Sequence, residues 1–333
     1  MRSAEPERAS FGAAPPPTQA IRTAAEIAAN LHGEPDHNTP LARETALRIK
    51  VTTRSLEKLP APPDTRVLVV ANQKGGVGKT TTAVNLAAAL AHYQLRVLVV
   101  DLDPQGNAST AMGIEHGHGT PGVYEVLSDE KQLADVVQPS ADIPGLYGVP
   151  ATLDLAGAEI ELVSLVARES RLRRGLDAFL ENSSGVPERF DYIFIDCPPS
   201  LGLLTINALV AGREMLIPIQ CEYYALEGVT QLLHNVEMIR AHLNPALTIS
   251  TVILTMYDGR TRLSSGVADS VRDHFGDAVL HTVIPRSVRV SEAPSYGQTV
   301  MTYDPGSTGA LSYLEAAREI AHHPIATHSP EES

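Results

Sequence analysis

Cysteine is nearly absent from this chain of 333 residues, which holds only Cys197 and Cys221. The two lack CxxC spacing, and this argues against a disulfide framework or a zinc site built from several cysteines. No uninterrupted apolar run approaches the ~20 residues that span a bilayer, and the first residues lack the apolar segment of a secretory signal. We therefore expect a protein of the reducing cytoplasm without a membrane anchor.

Positive charge is also scarce. The 26 lysines and arginines are outnumbered by 39 acidic residues, so the formal net charge is −13. Such a chain has no general attraction to polyanions. Any contact with nucleic acid must therefore come from a local cluster of basic residues.

Residues 1–64 differ in composition from the rest of the chain. They hold 9 of the 24 prolines, a single aromatic residue, and eight basic and eight acidic side chains, so the whole net charge belongs to residues 65–333. Segments of this composition rarely build a packed core. We predict a disordered extension over 1–64, a folded domain over 65–323 and a flexible tail over 324–333. The alternative is an extension that becomes ordered on a partner.

From residue 65 onward, short apolar runs rich in β-branched residues alternate with segments of helical character. The predicted strands are 66–72, 96–101, 192–196, 214–219, 248–256 and 279–285. The predicted helices are 78–92, 154–165, 168–182, 224–242, 264–275 and 307–322. Buried strands that alternate with helices predict an α/β fold, in which a mostly parallel, twisted sheet has helices on both faces.

The stretch GGVGKTT follows the first predicted strand and opens the first predicted helix, which is the context of a phosphate-binding P-loop. Gly75, Gly76 and Gly78 let backbone N–H groups approach the phosphates of a nucleotide, and the helix adds its positive dipole end. Lys79 would reach the β- and γ-phosphates, and the Thr80 hydroxyl would bind Mg²⁺. The predicted nucleotide-binding residues of the loop are Lys74, Gly75, Gly76, Val77, Gly78, Lys79, Thr80 and Thr81.

A magnesium site beside a P-loop needs a carboxylate on a neighbouring strand, and two predicted strands end in aspartates. Asp196 ends the run YIFID, as a Walker-B acid does. Asp101 and Asp103 are two residues apart in VLVVDLD, and hence on one side of an extended chain. Three carboxylates that converge on a P-loop favour the positioning of metal and water over simple loop capping.

Six blocks of sequence together resemble the ParA/Soj partition ATPases, which carry a deviant Walker motif. The blocks are KGGVGKTTTAVNLA, LVVDLDPQGNAS, PATLDLAGAEIEL, YIFIDCPPSLGLLTINAL, IPIQCEYYALEG and IPRSVRVSEAPSYGQTV. The resemblance runs from about residue 66 to 322 and implies a P-loop NTPase fold that binds and hydrolyses ATP with Mg²⁺.

The resemblance also implies roles for individual residues. Lys74 matches a lysine that reaches the ATP held by a second subunit, so that two P-loops face each other and the added cation acts as an arginine finger does. A solvated lysine before the glycine turn is the alternative. Asp103 matches the residue that orients the attacking water. The implied catalytic residues are Lys74, Lys79 and Asp103, and the implied metal-site residues are Thr80, Asp101 and Asp196.

Two later loops would hold the base of the nucleotide and DNA. The family pattern points to two loops for adenine, in which Met256, Tyr257, Pro285 and Val288 are apolar enough to enclose it, although these four could equally be ordinary core or loop residues. Arg286 would serve the nucleotide and not DNA. The resemblance implies that Arg260 and Arg289 bind the DNA backbone without sequence preference. Arg262 departs from the polar residue expected there and would strengthen the patch. Solvated arginines in local ion pairs are the alternative.

The implied function is the segregation of chromosomes or plasmids by a homodimer that forms with ATP, binds double-stranded DNA and is stimulated by a ParB-type centromere-binding protein. We expect a cytoplasmic, nucleoid-associated protein. The alternatives are a metabolic P-loop enzyme of the same superfamily and a MinD-like division-site regulator. A nitrogenase-type cluster protein is disfavoured by the positions of the two cysteines, and MinD-like membrane binding by the few basic residues near the C-terminus.

Overall fold

The computed structural model describes residues 56–181, 189–223, 225 and 227–322, all of which belong to one compact unit. The strands of this part of the chain are β1 (Arg66–Val70), β2 (Val97–Asp101), β3 (Gln138–Pro139), β4 (Leu146–Val149), β5 (Tyr192–Asp196), β6 (Glu214–Gln220), β7 (Thr248–Tyr257) and β8 (Val279–Pro285). They form a single sheet in the order β3-β4-β2-β5-β1-β6-β7-β8.

The helices connect these strands and cover the sheet. They are α1 (Lys79–His92), α2 (Asn107–Ala111), α3 (Val123–Leu127), α4 (Leu133–Val136), α5 (Leu155–Leu162), α6 (Arg171–Glu181), α7 (Leu203–Ala211), α8 (Glu227–His242), α9 (Arg262–Phe275), α10 (Val288–Glu292), α11 (Val300–Tyr303) and α12 (Thr308–His322). Short 3₁₀ turns cover Arg168–Ser170, Gly276–Ala278 and Ala293–Tyr296.

The predicted fold class is confirmed. Paired strands run parallel throughout, except that β3 is antiparallel to β4. Alternate residues of β1 enter two separate cores: Val67 and Val69 join the cluster with α6, α7 and α8, whereas Leu68 and Val70 join the cluster with α1 and α12. A parallel sheet that is buried on both faces explains why its strands are continuous apolar runs.

Helix α1 lies between the sheet and α12, and residues 82–91 are all buried. Its sequence is rich in alanine, which has high helix propensity and allows neighbouring elements to approach closely. The helix is therefore held on both sides. This rigid support fixes the P-loop, which ends where α1 begins.

The six strands and the six helices predicted from sequence are confirmed to within a few residues. The patterns did not indicate β3, β4, α7 or the five shortest helices, which are α2, α3, α4, α10 and α11. Strand β4 contains Gly148, where an added Cβ would meet the side chains of Ile114 and Met112, and a glycine weakens the strand signal. Helix α7 is buried on several sides, and its sequence therefore lacks the polar stripe of a surface helix.

Part of the predicted extension belongs to the described residues. Leu56 and Leu59 are only 6% and 7% exposed and pack in the core cluster that contains Tyr93. The Leu59 N–H donates to the Tyr93 carbonyl at 3.3 Å. Residues 56–64 thus contact the folded domain although they form no helix or strand.

The predicted domain boundaries stay predictions. Residues 1–55 of the extension and the tail 324–333 lie outside the described residues. No described helix combines the length and the apolar character needed to cross a bilayer.

Candidate active site

The parallel strands end at one edge of the sheet, so the loops that follow β1, β2, β5, β6, β7 and β8 lie next to one another. The register shows this directly, since Asp196 of β5 lies beside Val70 of β1 and beside Asp101 of β2. The predicted P-loop and the predicted aspartates are therefore brought together. Ligands of open α/β sheets bind at this edge.

The P-loop has the backbone shape that its glycines permit. Gly76 and Gly78 have φ angles of 75° and 87°, in the left-handed region that L-residues avoid. A Cβ added at Gly75 or Gly76 would meet no atom within 4 Å, so the loop is open on that side. Open space beside backbone N–H groups at the start of a helix suits a phosphate group.

Two neighbouring strands hold the loop in place. Asn72 donates from Nδ2 to the Pro218 carbonyl at 2.8 Å and accepts the Lys74 N–H at 3.0 Å. The Thr255 hydroxyl donates to the Val77 carbonyl at 2.8 Å. These bonds connect the loop to β6 and β7, and they keep its amides oriented before a ligand arrives.

Lys79 is a buried cation inside the loop. It is 7% exposed, and its Nζ lies 3.5 Å from the Lys74 carbonyl oxygen. Burial lowers the pKa of Lys79, and the nearby charge of Asp196 opposes that change. A phosphate at the open side of the loop would provide the missing anion.

Asp196 is the carboxylate whose surroundings best fit a bound metal ion. It is fully buried, and neither oxygen meets a donor at hydrogen-bonding geometry among the described residues. Burial raises its pKa well above the usual range, the charge of Asp101 adds to the rise, and the Thr80 hydroxyl and Lys79 ammonium oppose it. An orphaned buried carboxylate beside a hydroxyl and a P-loop matches the oxygen donors that Mg²⁺ prefers.

Asp101 and Asp103 lie in different local environments. Asp101 is fully buried and accepts three hydrogen bonds: Ser109 N at 2.9 Å, Ser109 Oγ at 2.7 Å and Asp103 N at 3.1 Å. Burial raises the pKa of Asp101 to about 6, against these hydrogen bonds. Asp103 accepts from Gln105 N at 3.0 Å and is 8% exposed. Asp101 thus organises the loop that carries Asp103.

Lys74 does not share the position of Lys79. Its side chain is 33% exposed, and its Nζ lies 3.4 Å from Oε2 of Glu222, in the loop after β6. Arg286 approaches the other oxygen of the same carboxylate at 3.8 Å. The two predicted P-loop lysines therefore have separate partners, one inside the loop and one at its mouth.

The predicted base-binding residues come together at the ends of β7 and β8. Tyr257 pairs with Pro285, and the Arg286 N–H donates to the Tyr257 carbonyl at 3.2 Å. Met256 has a φ of 50°, an uncommon angle for a non-glycine residue and one that is frequent near functional sites. Val288 begins α10 and is 70% exposed.

The predicted DNA-binding arginines are exposed and most have acidic neighbours. Arg260 is 89% exposed and forms two 2.9 Å hydrogen bonds with Asp258, which hold the pKa of that carboxyl down at about 2. Arg289 lies 3.2 Å from Glu292 and 3.5 Å from Asp304. A further exposed arginine of this group is Arg262, the first residue of α9.

Three residues that contact the site were not indicated from sequence: Ser109, Glu222 and Thr255. Glu222 offered a usable signal, because it follows a predicted strand as the aspartates do. Ser109 and Thr255 offered none, since Ser109 acts through two hydrogen bonds to Asp101 and Thr255 through one to Val77, and only the folded chain defines these contacts.

Known proteins resemble this chain in sequence and in structure. A family model described as an AAA domain matches residues 65–249. The sporulation initiation inhibitor protein Soj of Bacillus subtilis is 52% identical over 256 residues, which cover 77% of this chain and 98% of Soj. The chromosome partitioning protein ParA of Caulobacter vibrioides is 51% identical over 255 residues, which cover 77% of this chain and 93% of ParA.

Among solved structures, cobyrinic acid a,c-diamide synthase from Mycobacterium smegmatis with bound ADP and magnesium aligns with a TM-score of 0.64. It is 38% identical and covers 76% of this chain and 92% of its own.

Proposed function

The chain belongs to the ParA/Soj family of chromosome-partitioning ATPases, and we propose that ATP joins two copies of it into a dimer that binds double-stranded DNA without sequence preference. Hydrolysis, stimulated by a ParB-type centromere-binding partner, would separate the subunits and release the DNA. The protein would act in the cytoplasm, in association with the nucleoid.

The different positions of the two lysines carry this proposal. Lys79 is buried within its own loop, whereas Lys74 is one-third exposed at the mouth and its Nζ points away to Glu222. One cation is thus committed to the phosphates of its own subunit. The other is exposed at the mouth and would bind the triphosphate of a second subunit, so that a dimer would form only when that triphosphate is present.

Within one subunit, each group would have a simple task. Lys79 and the loop amides would bind the phosphates, and Thr80 and Asp196 would hold Mg²⁺, with Asp101 behind them. When bound, Mg²⁺ neutralises charge on the phosphate oxygens. Asp103 would orient the attacking water, because its Oδ1 accepts the Gln105 N–H and its Oδ2 accepts no hydrogen bond from the described residues. Catalysis of this kind depends on positioning and charge.

The arginines after β7 and β8 would bind the DNA backbone. These two loops are adjacent in the sheet, so Arg260, Arg262 and Arg289 can form one patch on a chain whose net charge is negative. A dimer doubles the number of phosphate contacts, and counterion release makes the affinity fall steeply with salt. DNA binding would therefore depend on ATP although none of these three arginines is a predicted nucleotide-binding residue.

DNA binding measured with ATP, with ADP and without nucleotide, each at two salt concentrations, tests this function. We expect tight binding with ATP alone, equal affinity for unrelated duplexes of one length, and a large loss between 50 and 200 mM salt, on the order of 10³-fold or more if six phosphates are contacted. Equal binding in all three nucleotide states would contradict the proposal.

A biosynthetic function is the second candidate, because a solved structure 38% identical to the chain is that of a cobyrinic acid a,c-diamide synthase. That function would require ATP turnover coupled to a small carboxylate substrate. ATP hydrolysis that responds to DNA and a DNA-bound partner, and not to such a substrate, would exclude it.

A further inference from the structure

Glu222 is the acidic partner of the exposed P-loop lysine, and it lies in the loop that follows β6. Its Oε2 is 3.4 Å from the Nζ of Lys74, and its Oε1 is 3.8 Å from Nη2 of Arg286. The Gln220 side-chain amide also donates to Oε1. One carboxylate therefore holds two cations at the mouth of the nucleotide site.

The carboxylate has three side-chain partners, whereas the lysine ammonium group has one among the described residues. The Cys221 N–H donates to the Thr255 carbonyl at 3.2 Å, and the Glu222 N–H donates to the Gln220 carbonyl at 2.8 Å. The Lys74 side chain is long and one-third exposed, and has no other hydrogen bond from Nζ among the described residues. Lys74 can consequently leave the pair by rotating its side chain, while Glu222 stays in place.

We propose that Glu222 is a positioning residue that retains Lys74 within its own subunit until the triphosphate of a second subunit competes for the ammonium group. The inference rests on the proposed function, because it assumes that Lys74 acts across a dimer. It adds an internal competitor, so that dimerisation exchanges one ion pair for another in each subunit. Glu222 thereby opposes dimer formation when the triphosphate is absent.

The exposure of the pair suits such an exchange. Both side chains are partly exposed, Lys74 at 33% and Glu222 at 46%, and ion pairs of this kind are weak because water competes for them. The pair can therefore restrain Lys74 without blocking its release. A fully buried pair would be much harder to separate, because each charge would lose its only partner.

The inference is tested by measuring how strongly Glu222→Gln dimerises with ATP. The variant also carries Asp103→Ala, which slows hydrolysis so that the ATP-bound dimer persists. We expect the dimer dissociation constant to fall by about 2- to 30-fold, since each exposed pair contributes ~1.4- to 5-fold and a dimer breaks two. Glu315→Gln is the matched control, because Glu315 is also 46% exposed, pairs with Arg318 and lies on α12. An unchanged or weaker dimer, relative to that control, overturns the inference.

A second measurement does not depend on the dimer. Nucleotide-free protein is treated with an amine-acylating reagent, and mass spectrometry quantifies the acylation of Lys74 Nζ. Glu222→Gln should accelerate acylation of Lys74 several-fold and leave other lysines, such as Lys131, unchanged. If wild type does not dimerise with ATP, the proposed function fails. If it dimerises but Glu222→Gln leaves either Lys74 acylation or dimer affinity unchanged, only the role of Glu222 fails.

Discussion

The carboxyl ends of the parallel strands form the edge of the sheet where the candidate site lies, and its two ends carry charges of opposite sign in different environments. At the β2–β5 end the charges are negative and buried, with Asp101 and Asp196 fully inaccessible and Asp103 only 8% exposed. At the β7–β8 end they are positive and exposed, with Arg260 at 89% and Arg289 at 56%. Both ends follow parallel strands of the same sheet.

The difference in burial explains the difference in the ligands that each end suits. A buried carboxylate without a donor has a high free energy, which a correctly placed cation lowers strongly. An exposed arginine is already solvated and paired with a neighbouring acid, so that one phosphate adds little and many are needed. The first end suits one tightly held ion, and the second suits a long, weakly held polyanion.

Asp103→Ala is expected to have the largest effect, and it probes the buried end. The turnover rate of ATP should fall by about 10²- to 10⁴-fold, the range for loss of a group that positions or deprotonates the attacking water. ATP binding should remain, so a lasting dimer should appear by size-exclusion chromatography with ATP. Asp142→Ala is the exposed control. Normal turnover in Asp103→Ala would remove this residue from the reaction.

Arg289→Glu probes the exposed end. DNA affinity should fall by about 10-fold or more at low salt, because two subunits each lose a phosphate contact and gain a repulsive charge, and the salt dependence should become shallower. Dimerisation with ATP should be unchanged. Arg318→Glu, at a position 60% exposed on α12, controls for charge. If both variants weaken DNA binding equally, net charge and not this patch determines the affinity.

Asp196→Asn tests whether burial of a carboxylate at the β2–β5 end lowers the stability of the ligand-free protein and creates its affinity for Mg²⁺. Without nucleotide and Mg²⁺, the free energy of unfolding at pH 7.5 should rise by about 1–2 kcal/mol, because a neutral amide replaces a buried carboxylate that lies beside Asp101 and accepts no hydrogen bond from the described residues. Added Mg²⁺ and ADP, which should stabilise the wild type, should stabilise the variant much less. Denaturant titration measures both. A less stable variant without ligand would show that Asp196 is already paired.

Leu59→Ala is the smallest change and lies outside both ends. It should lower the free energy of unfolding by about 1–2 kcal/mol, at or below the low end of buried leucine truncations because the segment 56–64 can relax. ATP turnover and DNA binding should be unchanged. Lys58→Ala, at an exposed neighbouring position, should leave stability unaltered. If Leu59→Ala altered DNA binding, the segment 56–64 would influence the arginines at the β7–β8 end.

Much of the site could be predicted because its parts have local causes. Gly76 and Gly78 have positive φ angles, which glycine adopts without strain, and the aspartates follow apolar runs of strand length. The environment of each aspartate could not be predicted in the same way. Asp101 and Asp196 end strands alike, yet one accepts three hydrogen bonds and the other none from the described residues, because donors arrive from other segments.

The amino-acid sequence alone determined where the glycine loop, six of the eight described strands and the longer helices lie, since steric limits on φ and the length of apolar runs act over a few neighbouring residues. Only the tertiary structure decided that Lys74 meets Glu222, 148 positions away, that Arg286 shares the same carboxylate, and that Asp196 is left without a donor. Those outcomes depend on which strands become neighbours in the sheet. Strand order is set by the packing of the whole domain and not by any short segment.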